Sequence, residues 1–297
     1  MRLKGFILVL IGAASFGFTP IFVKTGFQQG YTLGELNIIQ MLIAFILLMA
    51  LSVFKQLSLK GVSGKDLLKV MATGTSVGLT AVFYYGAMQY LPASLAIILL
   101  FQFVWIGMLY EWFFTKIKPT IVNYLSLIVT LAGVVLASDI LGGGFFEFPP
   151  MGLVLGLLSG FSYAGFIFFS GQVATETHPI LRSTLMVTGS FIIVLLIFIR
   201  DLPTLPVLDG RLWAIGTGIA LVGAVIPPLS FAGGAPLISG RLANVLSSIE
   251  LPVAIVSAML ILSESVSALQ WLGVLLIIGA IFINELGEKF TYNLIKP

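Results

Sequence analysis

The chain has 297 residues, 59% hydrophobic and 9% charged, with a formal net charge of +3 and a mean hydropathy of +1.12. A soluble domain carries about 25% charged residues, so this composition excludes a soluble enzyme or a nucleic-acid-binding domain. Cysteine is absent, which excludes a disulfide frame, a thiolate site and iron–sulfur ligation.

Apolar runs long enough for a hydrocarbon core of about 30 Å predict ten transmembrane helices, over 5–24, 33–54, 68–90, 93–114, 121–138, 151–172, 182–199, 212–236, 242–262 and 268–284. The breaks between them carry charge or turn chemistry. They are Gln28-Gln29-Gly30, the stretch from Lys60 to Lys65, Leu91-Pro92, Lys116-Ile117-Lys118-Pro119, Gly142-Gly143-Gly144 with Pro149-Pro150, Thr177-His178-Pro179 and Ser239-Gly240-Arg241. The first run follows Arg2 and Lys4 but shows no A-x-A cleavage site, and its counterpart at 151–172 is internal, so it reads as a retained span.

The sequence matches itself, without a gap, at a shift of 147 residues: Gly5/Gly152, Leu8/Leu155, Ser15/Ser162, Phe22/Phe169, Ile46/Ile193, Gly86/Gly233 and Ala96/Ala243 coincide, with Phe16/Tyr163 and Tyr84/Phe231 as near matches. This predicts a five-helix repeat over 1–138, a connecting loop over 139–150, a second repeat over 151–285 and a tail over 286–297. Lys24, Arg200 and Arg211 fall at one set of helix ends, and the other twelve basic residues, Arg182 and Arg241 among them, fall at the opposite set. The positive-inside rule then places both termini in the cytoplasm. Five spans per repeat is an odd number, so the second repeat enters the membrane upside down. The expected fold is an all-α integral membrane protein with ten transmembrane helices as two inverted five-helix repeats, an architecture suited to alternating access.

A charge inside the bilayer costs about 2.5–3.5 kcal/mol and asks for a reason. Glu250 sits well inside span nine, in Ser247-Ser248-Ile249-Glu250-Leu251-Pro252, and its repeat counterpart is Phe103. Two readings stay open: a carboxylate that carries a proton or anchors an amine, and a structural acceptor for a neighbouring helix. Glu111, beside Trp112 near a helix end, reads as a solvated interfacial group. Lys24 and Arg241 read as helix-end cations, Arg241 within reach of an anion, and Glu264 reads as a cap. Asn37 and Gln40, Gln89 and Gln102, and Asn244, Ser247 and Ser248 supply neutral polar groups. Tyr84, Tyr85, Phe16 and Tyr163 supply aromatic surface for a midplane cavity. Each also serves as a helix–helix hydrogen bond in the plainer reading.

Pro20, Pro227-Pro228 and Pro252 lie inside spans and free backbone carbonyls; Pro227-Pro228 with Gly233-Gly234 mark span eight as a hinge or a fixed kink. Gly152, Gly156 and Gly160, and Gly74 with Gly78, form small-residue series suited to close packing within the chain or in a homodimer. The chain contains no GxxxxGK[ST], no HExxH, and one histidine, His178, in a loop. Transport, if it occurs, is then driven by a gradient, and no enzymatic activity or cofactor is expected.

These residues resemble a known family. The stretch from Tyr84-Tyr85-Gly86 through Leu91-Pro92-Ala93-Ser94-Leu95-Ala96 looks like an aromatic end of span three running into an A-S-x-A start of span four. The stretch Ala243 to Val253 looks like an "l-E-P-v" motif, and Ser263-Glu264 like the "g-E" that closes that span. The ten-span duplication is similar, over nearly the whole chain, to the EamA-like members of the drug/metabolite transporter superfamily. Pro252 is displaced by one place from the usual E-P, and Phe103 and Ile117 stand where the second half has Glu250 and Glu264. The resemblance implies a bacterial cytoplasmic-membrane exporter of small metabolites, often amino acids, with a cavity between the repeats. Glu250, Gln102, Asn244, Ser248, Tyr84 and Tyr163 are the expected cavity lining. The partners expected are a small-molecule substrate, the lipid bilayer and protons; a multidrug or lipophilic-cation exporter and a non-transporting membrane scaffold are the alternatives.

Overall fold

The computed structural model describes residues 1–297 apart from 61, 92, 138–148, 263–265 and 296–297; for 93–94, 262 and 285–295 it describes the backbone alone. Expectations for the Gly142-Gly143-Gly144 loop, Pro92, Ser94, Ser263, Glu264, Lys289 and Lys296 therefore lie outside the described residues or side chains. The helices are α1 (Arg2–Phe16), α2 (Thr19–Gln28), α3 (Leu33–Phe54), α4 (Gly64–Ala87), α5 (Ala93–Leu100), α6 (Phe103–Thr115), α7 (Ile121–Ala137), α8 (Pro150–Ser170), α9 (Pro179–Ile197), α10 (Gly210–Ile219), α11 (Ile226–Gly234), α12 (Gly240–Ser247), α13 (Glu250–Leu262) and α14 (Ala268–Ile295). No strand occurs among the described residues. Among the described residues eight segments are long and apolar enough to cross a membrane, and two shorter apolar helices, Ile121–Ala137 and Ala268–Asn284, fall where spans five and ten were expected.

Helix starts follow local chemistry. Thr32 and Glu35 form a capping box on α3, Ser63 caps α4, Ser239 caps α12, and Pro150 and Pro179 stand in the first turns of α8 and α9, where a missing N–H costs nothing. Spans one, four and nine, expected as continuous runs, are each broken into two helices. Pro20 cannot donate to the Phe16 carbonyl, and the chain breaks at Gly17-Phe18. Pro252 cannot donate to the Ser248 carbonyl, and the chain breaks at Ser248-Ile249. The break at Phe101-Gln102 is held by the Gln102 amide, which donates to the Ile98 carbonyl at 3.0 Å. Span eight carries a π-helical segment, Ala220–Val225, just ahead of Pro227-Pro228.

The packing follows the 147-residue shift. α4 packs on α8 and α9, α11 on α1, α5 and α6 on α8, α12 and α13 on α1, and α7 on α14. Equivalent atoms recur: a Cβ on Gly5 would meet Leu237 and Ile238, and one on Gly152 would meet the counterparts Tyr90 and Leu91. Between α7 and α14, Asn123 donates to Asn284 at 3.0 Å and Gln270 to the Ala137 carbonyl at 3.4 Å; the shift exchanges these two bonds. Both helices start on the same cap, Thr120 with Asn123 and Ser267 with Gln270. The Gly74 and Gly152–Gly160 series pack inside the chain, against α9 and against the turn and helix around Leu91–Leu100.

Arg182, counted among the basic residues at one set of helix ends, is fully buried. Its guanidinium donates to the Ala232 carbonyl at 2.8 Å and to the Ser170 carbonyl. A cation there satisfies carbonyls near the C-terminal ends of α11 and α8 and meets their negative dipole ends.

Candidate functional site

A cavity of about 40 Å³ lies where the breaks of spans one and nine meet the π-helical segment of span eight. That volume holds a few water molecules. Its walls come from both halves of the chain: Phe16, Thr19 and Gln40; Val77, Thr80, Ala81, Tyr84 and Tyr85 of α4; Leu100; Tyr163 and Phe166 of α8; Gly223; and Glu250, the first residue of α13. None of these lining residues is basic.

Glu250 is 5% exposed, and its position at the start of α13 sets its carboxylate near a positive helix end. A Cβ on Gly17, in the break between α1 and α2, would touch the Glu250 carbonyl. Tyr84, Tyr85 and Tyr163 lie within electrostatic range of the carboxylate. Tyr163 faces it most directly, yet no well-formed hydrogen bond satisfies Tyr163 Oη or Glu250 Oε2. Phe16 and Tyr163, counterparts in the repeat, meet edge to face at 5.3 Å. Phe103, the counterpart of Glu250, packs on the Tyr163 ring at 4.7 Å. Gln40 reaches the Tyr85 hydroxyl, leaving Gln40 Oε1 without a partner. The walls thus combine aromatic surface with unsatisfied acceptors, a setting that takes a donor-rich or cationic group.

Two polar contacts join the halves of the chain, one at each set of helix ends. At one end Arg241 Nε of α12 lies 3.0 Å from Glu111 Oε2 of α6. The Arg241 backbone N–H donates to the same oxygen, and its guanidinium donates to the Lys118 carbonyl. Glu111, expected as a solvated interfacial group, is instead 5% exposed and paired, because the start of α12 brings a cation and a free N–H to it. At the other end the Tyr31 hydroxyl donates to Asp209 Oδ2 at 2.6 Å. That bond holds the half-buried Asp209 carboxyl below its ordinary value of 3.8. The same bond, with desolvation and the Asp209 charge, raises the Tyr31 phenol above 10.0. An open groove of about 460 Å³ between α4, α6 and α8 lies at the Arg241 end, lined by Lys69, Ser76, Phe114 and Phe168 among others. Ser76 is one helical turn from Thr80 on the cavity wall, about 6 Å along α4.

Of the six residues expected to line a cavity, Tyr84, Tyr163 and Glu250 do so. Gln102, Asn244 and Ser248 are not among its walls. Gln102 serves its own helix break, bonded to Ile98 and Trp105. Asn244 donates to the Gly240 carbonyl and fills the space above Gly107 of α6. Ser248 is fully buried in the break beside Glu250. Thr19, Val77, Thr80, Ala81, Leu100, Phe166 and Gly223 complete the walls without having been singled out. For Gly223 a sequence signal existed, since prolines stand four and five residues after it.

Residues 3–139 and 150–285 each match the EamA-like transporter family. An uncharacterized transporter of Synechocystis sp. is 25% identical over 215 residues, 70% of this chain and 64% of that protein, so the match spans less than two thirds of the relative. A solved crystal structure superposes over the full length of both chains with a TM-score of 0.80 at 14% identity, which shows a shared fold.

Proposed function

Because the chain belongs to the EamA-like transporter family, we propose that it is a secondary transporter exporting a small amphipathic metabolite, an amino acid or similar amine-bearing solute, across the cytoplasmic membrane by alternating access. Its units are the five-helix repeats 1–138 and 151–285, in opposite orientation, with both termini cytoplasmic. The two family matches and the packing pairs that interchange under the 147-residue shift support this arrangement. The positive charges gathered at one set of ends support the orientation.

One observation carries the functional reading: a buried carboxylate among aromatic walls, with a polar contact between the halves at each set of helix ends. Breaking Glu111–Arg241 while Tyr31–Asp209 holds opens the cavity inward through the groove at Lys69; the reverse opens it outward. Glu250 receives the positive charge that crosses, as the solute's amine or as a proton. A cavity this narrow has to widen as one end opens, and the broken spans one and nine and the π-helical segment are the elements that flex. The aromatic walls also suit a lipophilic cation, the second reading.

The test is solute flux in proteoliposomes with and without a pH gradient, for wild type and Glu250→Gln. Flux that depends on the gradient and collapses in the variant supports the reading. Unchanged flux in Glu250→Gln removes the carboxylate from the mechanism.

A further inference from the structure

The π-helical segment leaves two carbonyls, those of Val222 and Gly223, with no helical donor. The Gly223 oxygen would take its bond from residue 227 in an α-helix or residue 228 in a π-helix, and both are proline. The nearest remaining donor, the Ile226 N–H, is bonded to the Leu221 carbonyl. The adjacent Val222 carbonyl is served by the Ser15 hydroxyl at 2.9 Å.

Gly223 lies on the cavity wall, and the atoms nearest to where its Cβ would stand are Thr19 Oγ1 and Gln40 Nε2. Thr25, Thr73, Thr80, Thr184, Thr188 and Thr217 each donate to the carbonyl four residues back. Thr19 Oγ1 has no partner, and neither has Gln40 Oε1 or Glu250 Oε2. All three residues are at most 5% exposed. Three unsatisfied buried oxygens on three separate elements, beside a carbonyl with no helical donor, are costly unless a donor or a cation meets them.

The counterpart region argues that this set is not a by-product of the repeat. Thr19, Gln40 and Glu250 correspond to Phe166, Val187 and Phe103. Gly223 corresponds to Ser76, whose carbonyl is occupied by Thr80 and Ser162 hydroxyls. Thr19 and Gly223 come from span one, which is broken, and span eight, which is π-helical there, while the counterparts α8 and α4 are continuous.

We propose that the Gly223 carbonyl, Thr19 Oγ1, Gln40 Oε1 and Glu250 form a binding site for one small monovalent cation, of which Na⁺ is the fitting member. Carbonyl, hydroxyl and carboxylate oxygens are hard ligands, and unwound backbone carbonyls are a recurrent Na⁺ ligand in membrane helices. A single carboxylate balances a single charge. The space of about 40 Å³ leaves room to complete the shell with water. The site deepens the transport reading, since a cation held at Glu250 is a candidate coupling ion, but its binding does not depend on which solute is carried.

The test is equilibrium binding of ²²Na⁺ to purified full-length protein in detergent, without solute, with thermal unfolding measured in NaCl, KCl and N-methylglucamine chloride at equal ionic strength. The expected result is saturable binding of one Na⁺ per chain and a rise in Tm specific to NaCl. Thr19→Val and Gln40→Met, which remove one oxygen each, should weaken binding about tenfold, the loss of a single good ligand contact. Thr188→Val, whose hydroxyl serves only its own helix, should bind as wild type does. No ²²Na⁺ binding by wild type, unaltered binding by both site variants, or equal loss in Thr188→Val would overturn the proposal. So would binding of methylammonium without binding of Na⁺, which would make the site one for the solute's amine. Because no flux is measured, Na⁺ binding by a transport-inactive protein leaves the ion site standing, and flux without Na⁺ binding removes the ion site alone.

Discussion

Arg241 and Glu111, 130 residues apart in sequence, meet at 3.0 Å across the boundary between the halves of the chain. Glu111 also accepts the Arg241 backbone N–H, so one carboxylate holds both the side chain and the first turn of α12. Neither charge recurs in the other half: under the 147-residue shift Arg241 pairs with Ser94 and Glu111 with Ala258. The ion pair therefore has no repeat equivalent, and the helix ends at Tyr31 and Asp209 are joined by different chemistry.

Replacing Glu111 with Gln removes the charge but keeps a hydrogen-bonding side chain, and leaves a largely buried arginine unpaired. Breaking such a pair costs about 3 kcal/mol, and here the loss falls on the closed state more than on an inward-open one. Lower Tm in Glu111→Gln, with greater labelling of a cysteine placed at Ser76, is the expected outcome. Unchanged labelling at that position would mean that the pair does not hold this end shut.

The Tyr31–Asp209 contact has a defined pH window. Asp209 is held below 3.8, so the stability it adds is present above the ordinary aspartate range and is lost as pH falls through its depressed value. Tyr31 is raised above 10.0, so the neutral donor persists until pH rises past that raised value. Between pH 5 and pH 9 this contact should not change, and Tyr31→Phe should shift the conformational equilibrium by the same factor at both pH values. A Tyr31→Phe effect that varies strongly across that interval would contradict the assignment.

The α4–α9 crossing depends on Gly74 and Gly189. A Cβ on Gly74 would collide with the Met186 backbone, and one on Gly189 with the Met71 backbone. Backbone cannot move aside by a rotamer change, so Gly74→Ala should cost about 3 kcal/mol of packing against a gain of about 1 kcal/mol in helix propensity. Thermal unfolding in detergent should show clear destabilisation; an unchanged Tm would mean that the two helices part without penalty.

Span positions were legible because apolar runs separated by charge and Pro/Gly turns leave few alternatives in so uncharged a chain. Glu250 and Tyr163 were legible because a carboxylate in an apolar run and an aromatic repeat pair both stand out. Gln102, Asn244 and Ser248 were placed on polarity alone. Which way they point is decided by the breaks at Phe101-Gln102 and Ser248-Ile249, which rotate each half-helix and cannot be read from hydropathy. The burial of Arg182 and the pairing of Glu111 depend on contacts 12 to 130 residues away, beyond the reach of local pattern. Thr19 looked like any helical threonine, and only its missing bond distinguishes it.

The central claim is that the cavity around Glu250 opens to both sides of the membrane in turn. The native chain has no cysteine, so a single cysteine at Thr80, on the cavity wall, can be treated with a membrane-impermeant maleimide in right-side-out and in inside-out vesicles. Labelling from each side, slowed in both preparations by transported solute, is the predicted result. Labelling from neither side, or from one side only under every condition, would contradict alternating access.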